Sequence, residues 1–279
     1  MTTTIETKLC ELRRILREMK SALVCFSGGL DSGFLLTIAH EQLGKSAVAF
    51  TAIGPSIPEF EQQHARELAV QIGALHVVVD AGELSLPAYV SNCPDRCFHC
   101  KTAHLAAARK CCDERGLMHV VDGTNLDDFG DFRPGMEAAK NAGVLSPLVD
   151  AGFGKDDIRE AANLMGLGFA GMHASACLAS RIPYGTQITP QRLSQVADLE
   201  AAVRALGFRV VRVRHHDTIA RIEVGVDELP RAVEPECRVR IVDAAMRVGF
   251  RYATLDLGGY RMGSHNEVLE GRKLPVAMK

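Results

Sequence analysis

Residues 22–39 constrain the fold of this chain more than any other stretch. Ala22-Leu-Val-Cys-Phe26 is an apolar run of strand length, and Gly33-Phe-Leu-Leu-Thr-Ile-Ala39 reads as the start of a buried helix. Between them lies Ser27-Gly-Gly-Leu-Asp-Ser32. A strand, a turn of small residues and a helix start together make an anion site. The first N–H groups of a helix lack partners inside it, and the helix dipole favours negative charge there. Gly28 and Gly29 allow close approach of a phosphate to the backbone. Ser27 and Ser32 add hydroxyl donors, and Asp31 is placed to hold a magnesium ion.

The same alternation continues downstream. Ala47–Ile53, Leu75–Asp80 and Met118–Asp122 read as further buried strands, separated by helices over Pro58–Gly73 and Lys101–Gly116, with an amphipathic helix leading from Thr7 to Lys20. Strands alternating with helices predict an α/β unit on a parallel sheet, with ligands at the carboxyl ends of the strands. Past Leu145 come a short apolar segment and another helix. Periodicity is then lost between Gly168 and Thr189, a stretch rich in Gly, Ser, Ala and Pro. A helix over Pro190–Leu206, strands over Phe208–Arg214 and Ile219–Val224, two more helices and a strand over Tyr252–Leu257 follow, an α+β pattern. The expected division is an α/β domain with the phosphate-binding loop over 1–168, a connecting active-site segment over 169–189, and a smaller α+β domain over 190–279. The resemblance given below assigns ATP binding to the first and substrate binding or oligomerisation to the last.

Composition excludes several classes of function. A net charge of −2 gives no electrostatic footprint for nucleic acid. No apolar run is long enough to span a bilayer, and the start of the chain lacks the basic-then-apolar order of a signal peptide. Nine cysteines, an odd number, argue for a reducing cytoplasm and for thiols with metal, cluster or catalytic duty rather than structural disulfides.

Four further groups carry chemistry. Val121-Asp-Gly-Thr-Asn-Leu-Asp-Asp128 lies at a strand end: Gly123 lets the backbone approach a ligand, Thr124 and Asn125 offer polar groups, Asp127 and Asp128 can bind magnesium, and Arg133 can neutralise phosphate. Without the phosphate loop, this is a polar loop with helix caps. Cys97-Phe-His-Cys100-Lys101 brings two thiols together, and Cys93 extends it to a C-x3-C-x2-C triplet; zinc, cluster and redox readings are all open from spacing. His99 and His104 are candidate additional ligands, whereas Cys111 and Cys112 read as packing residues. Cys177, in the aperiodic run Ser175-Ala-Cys-Leu-Ala-Ser-Arg181-Ile-Pro-Tyr-Gly185, is either a reactive thiolate with its pKa lowered by Arg181 or a buried seam cysteine. On the Phe208–Arg214 strand, Val211 and Val213 face the core, so Arg212 and Arg214 are expected to face outward together. They suit a mononucleotide phosphate, or else a solvated pairing with Glu223. Glu223, Asp227 and Asp256 are polar candidates near the cysteine, and His215 and His216 read as turn residues.

The pattern S-G-G-x-D-S resembles the PP-loop of ATP pyrophosphatases; it lacks the lysine of the Walker A loop. Together with the Asp122–Asp128 run, it is similar to the group containing NAD synthetase and GMP synthetase. Ala176-Cys-Leu-Ala-Ser-Arg-Ile-Pro-Tyr-Gly185 and Leu255-Asp-Leu-Gly-Gly-Tyr-Arg261 narrow the resemblance to the LarE family, across nearly the whole chain. That resemblance implies an ATP- and Mg²⁺-dependent sulfur transferase. It would adenylate a carboxylate of pyridinium-3,5-biscarboxylic acid mononucleotide and replace AMP by sulfur. It implies a catalytic set of Cys177, Arg181 and Glu223. It also implies binding roles for Ser27, Gly28, Gly29, Asp31, Ser32, Gly123, Thr124, Asn125, Asp128, Arg133, Arg212 and Arg214. One branch of the family sacrifices the cysteine matching Cys177. Another holds a [4Fe–4S] cluster on three cysteines, and retention of both thiols of the C-x-x-C pair points here to Cys97, Cys100 and Cys177. The resemblance further implies a homo-oligomer. A tRNA-thiolating PP-loop enzyme is the rival reading; it predicts a basic face, and the slightly acidic charge balance counts against it.

Overall fold

The structure, a computed structural model, describes residues 4–130, 134–170 and 177–261. The chain divides into two compact units, Met1–Ala176 and Cys177–Lys279.

The first unit is α/β. Its elements in chain order are α1 (Ile5–Met19), β1 (Ala22–Cys25), α2 (Leu30–Leu43), β2 (Ala47–Ile53), α3 (Glu59–Ile72), β3 (Leu75–Asp80), α4 (Pro87–Val90), α5 (Arg96–Glu114), β4 (His119–Asp122), α6 (Pro134–Asn141), α7 (Pro147–Asp150) and α8 (Lys155–Leu164). The four strands form one parallel sheet in the order β3-β2-β1-β4. Sheet geometry sends alternate residues to opposite faces. Ala22 and Val24 of β1, with Ala47 and Ala49 of β2, join the core under α1, α2 and α8. Leu23, Val48 and Phe50 pack on the other face against Ala108, Cys111 and Cys112 of α5. The strands are therefore apolar on both faces, which is why they read as unbroken hydrophobic runs. Cys111 and Cys112 are the packing residues that the helical spacing implied.

Two boundaries differ from the sequence expectation in ways that matter. Helix α2 begins at Leu30 rather than Gly33, so Asp31 and Ser32 stand in its first turn. Helix α5 begins at Arg96 rather than Lys101, so the C-x-x-C pair lies inside a helical turn. In both, tertiary packing extends the helix into residues of weak helical propensity.

The second unit contains α9 (Pro190–Arg204), β5 (Val211–His216), β6 (Ile219–Val224), α10 (Leu229–Ala232), α11 (Pro235–Arg247) and β7 (Tyr252–Leu255). Its sheet runs β5-β6-β7, with β5 antiparallel and β7 parallel to β6. Helix α9 packs on β5, and α11 packs on α9 and β7. Thr189 caps α9 through its hydroxyl, and Pro190 opens the helix. His215 and His216 are strand residues of β5, not turn residues. His215 is buried edge-on to Phe250 and bonded to Gln195 Oε1 at 3.2 Å, which extends the strand. Among the described residues, no helix is long and apolar enough to cross a membrane.

Candidate active site

In the first unit, the turn after β1 and the start of α2 form a tight backbone loop. Gly28 has φ +79°, and a Cβ there would meet Ala65 of α3 at 3.0 Å. A side chain at Gly28 is thus opposed by conformation and by space. Ser32 Oγ donates to the Gly29 carbonyl at 3.3 Å and accepts from Ser27 N at 3.2 Å. Ser27 Oγ accepts from Gly29 N at 3.3 Å and lies 3.1 Å from Ser32 Oγ. Ser32 is therefore buried within the loop and braces it, while Ser27 is exposed to a ligand.

The strand end of β4 closes on this loop. A Cβ at Gly123 would stand 2.9 Å from Ser32 N and 3.1 Å from the Asp31 carbonyl carbon. Only glycine lets β4 run this close to the start of α2. Asn125, fully buried, then ties the two acidic positions together: its Nδ2 donates to Asp31 Oδ2 at 3.2 Å and its N donates to Asp128 Oδ2 at 3.1 Å. Asp122 Oδ1 accepts from Thr124 N and Ser146 Oγ, at 3.2 and 3.0 Å. Asp127 turns away and binds Lys155 N at 2.5 Å. Two lysines flank the group: Lys101 Nζ is 4.0 Å from Asp122 Oδ2, and Lys155 Nζ is 3.8 Å from Asp128 Oδ1. Eight of the predicted binding residues (Ser27, Gly28, Gly29, Asp31, Ser32, Gly123, Asn125 and Asp128) thus converge on one cradle, with Thr124 beside them. Arg133 lies outside the described residues.

Cys97 and Cys100 are on the first turn of α5, three residues apart and therefore on neighbouring positions of one face. Cys97 is exposed and Cys100 half-buried, and neither is in a disulfide. Cys100 Sγ lies 3.5 Å from His104 Nε2. Burial lowers the His104 pKa, Lys101 pushes the same way, and Glu83 opposes it. The other half-buried thiol of this region, Cys25, is pushed up to about 11 by burial and is a packing group rather than a nucleophile. Among the described residues, no three His, Cys, Asp or Glu side chains form a metal-holding group.

The second unit begins with Cys177, half-buried at the start of a 3₁₀ turn, Leu178–Arg181. Here the structure carries a set of buried ion pairs. Arg181, 1% exposed, donates Nε to Glu200 Oε1 at 2.9 Å and Nη2 to Glu200 Oε2 at 3.3 Å. Its Nη1 donates to the Cys177 carbonyl and to Ser180 Oγ, both at 3.0 Å. In these bonds Arg181 fixes the backbone that carries the thiol. Arg204 also donates to Glu200, at 2.9 Å, and Val213 N donates to the same carboxylate at 3.0 Å. Burial alone would raise the Glu200 pKa, but the Arg181 charge, its hydrogen bond and Arg204 hold the carboxyl below its ordinary value.

Arg214 and Glu223 form a bidentate pair, both contacts at 2.9 Å, and Arg214 Nη1 donates to the Ser180 carbonyl at 3.0 Å. The register places Arg214 opposite Arg221, two like charges. Glu223 and Asp256 reconcile them, accepting from Arg221 at 3.2 and 3.1 Å. This corrects the expectation that Arg212 and Arg214 face outward to solvent together and that Glu223 is exposed. Arg214 and Glu223 are buried, with helix α9 and the 3₁₀ turn packed against β5 and the Ser180 carbonyl of that turn accepting from Arg214. Arg212 is different. It sits half-buried 5.2 Å from the Tyr260 ring centre and donates to the Val211 carbonyl at 2.9 Å. No carboxylate is in ion-pair contact with it among the described residues. Burial pushes its pKa down and the Arg181 and Arg204 charges push the same way, while Glu200 and Tyr260 oppose them without reversing the shift. A desolvated guanidinium crowded by other cations is a place where an anion gains. Asp227, another predicted polar candidate, pairs instead with Arg209 at the surface.

Sequence reasoning missed Glu200 and the His104 contact. Glu200 had a signal: Leu193, Val196, Leu199 and Val203 mark the buried face of α9, and Glu200 occupies that face, seven residues from Leu193. An acid at a core position announces a buried partner.

A search of protein-family models finds no match. Among curated proteins, the chain is 38% identical over 265 residues to an uncharacterised protein of Synechocystis, covering 95% of this chain and 99% of that one. It is 35% identical over 280 residues to the pyridinium-3,5-bisthiocarboxylic acid mononucleotide synthase of Lactiplantibacillus plantarum, covering 97% of this chain and 98% of the relative. A more distant match, 23% identical over 175 residues, is to one chain of the glutamine-hydrolysing GMP synthase of Archaeoglobus fulgidus, covering 58% of this chain and 56% of that one.

Proposed function

The chain belongs to the LarE family of sulfur transferases, and from that premise we propose that it makes a thiocarboxylate on a pyridinium-3,5-biscarboxylic acid mononucleotide in two steps. A substrate carboxylate first attacks the α-phosphorus of ATP, forming an acyl adenylate and releasing pyrophosphate. Sulfur then attacks the acyl carbon and AMP leaves with the former carboxylate oxygen. The observation that carries this reading is the cradle in which Gly123 and Asn125 bring Asp31 and Asp128 to the loop Ser27–Ser32.

In the first step the loop amides and the start of α2 receive phosphate oxygens, with the exposed Ser27 hydroxyl beside them. Magnesium takes one or two carboxylates and completes its shell with phosphate and water. Asp31 and Asp128, both tied to Asn125, fit that requirement and would hold it. Magnesium supplies charge neutralisation as pyrophosphate departs. Lys101 beside Asp122 and Lys155 beside Asp128 would take up phosphate charge, with Arg133 as a further candidate.

For the second step, Cys177 is presented by a backbone that Arg181 clamps. Arg212 would receive the phosphate of the substrate mononucleotide. Arg214 and Glu223 hold the strand edge in place rather than meeting the substrate charge directly. Cys97, Cys100 and Cys177 match the donor set of a [4Fe–4S] cluster with one iron left open: three thiols outside disulfides, two of them on one helical face. Sulfide from outside the protein, held at that open iron, would be the sulfur delivered, so that no protein side chain is consumed.

The test is substrate-dependent cleavage of ATP. Release of AMP and pyrophosphate with the pyridinium bis-acid, and with nothing else offered, is the expected result. Release triggered by tRNA, or no release with any carboxylate, overturns the proposal. Iron and labile-sulfide content, with the mass of Cys177 after turnover, decides the sulfur source. Roughly four irons per chain and an intact Cys177 support the cluster. Dehydroalanine at 177 in iron-free protein makes Cys177 the donor and removes the cluster assignment.

A further inference from the structure

Three arginines and one glutamate share a face of the β5–β6 ladder. The register sets Arg212 opposite Glu223 and Arg214 opposite Arg221. Directly opposed residues are the natural pairs of an antiparallel ladder. Glu223 nevertheless bonds diagonally to Arg214 and along its own strand to Arg221. Arg212 instead donates Nη1 to the Val211 carbonyl at 2.9 Å, and its guanidinium carbon lies over the Tyr260 ring, 5.2 Å from the ring centre. Backbone geometry brings that ring there. Val224, the last residue of β6, is the register partner of Val211, and its carbonyl accepts from Tyr260 N at 2.8 Å. The chain arrives through Gly259, at φ +64°, where a Cβ would meet Val226 Cγ2 at 2.9 Å and the Val224 carbonyl oxygen at 3.1 Å. Position 259 is closed to a side chain, and Tyr260 is thereby held against the strand end beside Arg212.

We propose that Tyr260 is a positioning residue for the substrate phosphate: its ring holds the Arg212 guanidinium by cation–π attraction, where a carboxylate would otherwise stand, and so keeps that charge for the anion. The proposal rests on the reading that Arg212 receives the phosphate of the mononucleotide. A cation within about 6 Å of an aromatic centre is attracted by the electron-rich ring face, and more strongly where water is excluded. Arg212 is half-buried, which favours the contact. A carboxylate in the place of the ring would accept the guanidinium N–H groups and repel a phosphate. The ring orders the same long side chain and leaves its positive charge uncancelled. Tyr260 acts on the ligand only through Arg212, so it contributes to binding only when the ligand carries a phosphate.

The test measures, by calorimetry on the full chain, binding of the pyridinium bis-acid mononucleotide and of the nucleoside left when its phosphate is removed. Wild type, Tyr260→Leu, Tyr260→Phe, Arg212→Gln and the Arg212→Gln/Tyr260→Leu double variant are compared. Tyr260→Leu is expected to weaken the mononucleotide by about 5- to 30-fold and to leave the nucleoside unchanged. Tyr260→Phe keeps the ring and should bind as wild type does. The double variant should bind no more weakly than Arg212→Gln alone, because the ring has no other route to the ligand. Unchanged mononucleotide binding in Tyr260→Leu overturns the proposal. So does equal weakening of both ligands, which marks a purely structural role, or a Tyr260→Phe variant as weak as Tyr260→Leu. Arg212→Gln separates this failure from failure of the underlying reading. If Arg212→Gln still prefers the mononucleotide as strongly as wild type, or if wild type binds neither ligand, Arg212 is not the phosphate site and both fall. If that preference is lost in Arg212→Gln and kept in Tyr260→Leu, the role of Tyr260 alone falls.

Discussion

The phosphate cradle of the first unit and the guanidinium network of the second are built by opposite means. The cradle is made of backbone and short side chains from two brief runs, 27–32 and 122–128, and it closes because Gly28 and Gly123 carry no side chain. The network is made of the longest side chains available, buried in pairs whose members are separated in sequence by 9 positions for Arg214 and Glu223 and 19 for Arg181 and Glu200. One site depends on the absence of atoms and the other on the compensation of charges. Each therefore has its own way of failing, and substitutions separate them.

The largest effect falls on the network. Glu200→Ala leaves Arg181 buried without its carboxylate. Losing one partner of a buried pair costs about 3–5 kcal/mol. Thermal unfolding monitored by circular dichroism should show the loss, and Glu200→Gln should recover part of it. An unchanged midpoint in Glu200→Ala would mean that the network contributes little to the second unit. Gly123→Val comes next. Its Cβ would collide with backbone at 2.9 Å, which a flexible side chain cannot relieve. The expected cost is about 2–4 kcal/mol, with ATP binding by calorimetry lost as α2 is displaced. Gly168→Ala, where nothing stands within 4 Å, should leave both stability and ATP binding intact. Equal tolerance at the two glycines would break the contrast.

A smaller effect appears in pH. The Glu200 carboxyl is held below its ordinary 4.5 in the folded chain. A depressed carboxylate contributes stability that is complete above its unfolded pKa and is lost as pH falls toward the folded value. Stability should therefore decline below pH 4.5, and Glu200→Gln should flatten that slope. Ser27→Ala should cost least. Its hydroxyl bonds at 3.1 and 3.3 Å are exposed, worth about 0.5–1 kcal/mol in stability, while the KM for ATP should rise.

The same contrast explains what was legible in the sequence. A parallel strand buried on both faces leaves an unbroken apolar run, so β2 falls at the positions the sequence implies, and the half-buried edge strand β3 does so as well. The cradle was legible because each of its two runs, 27–32 and 122–128, is consecutive and its glycines are forced by backbone geometry. The network was not. Strand periodicity placed Arg212 and Arg214 on one face, as the register has them, but it carried no information on what covers that face. The pairing of Arg214 with Glu223 was one of the two readings the sequence offered, but its burial and the clamp of Arg181 on the Cys177 carbonyl are tertiary. Helix α5 shows the same limit locally: packing carried the helix back over Cys97 and Cys100, and only that brought His104 beside a thiol.

The central claim is that the cradle makes a carboxylate receptive to sulfur by transferring AMP to it. Isotopic labelling tests it directly. The pyridinium bis-acid is labelled with ¹⁸O in its carboxylates, turned over with ATP and magnesium, and the nucleotide product is analysed by mass spectrometry. The account predicts one ¹⁸O in AMP for each thiocarboxylate formed. Label in inorganic phosphate with ADP as the nucleotide product, or thiocarboxylate formed with unlabelled AMP, would contradict it.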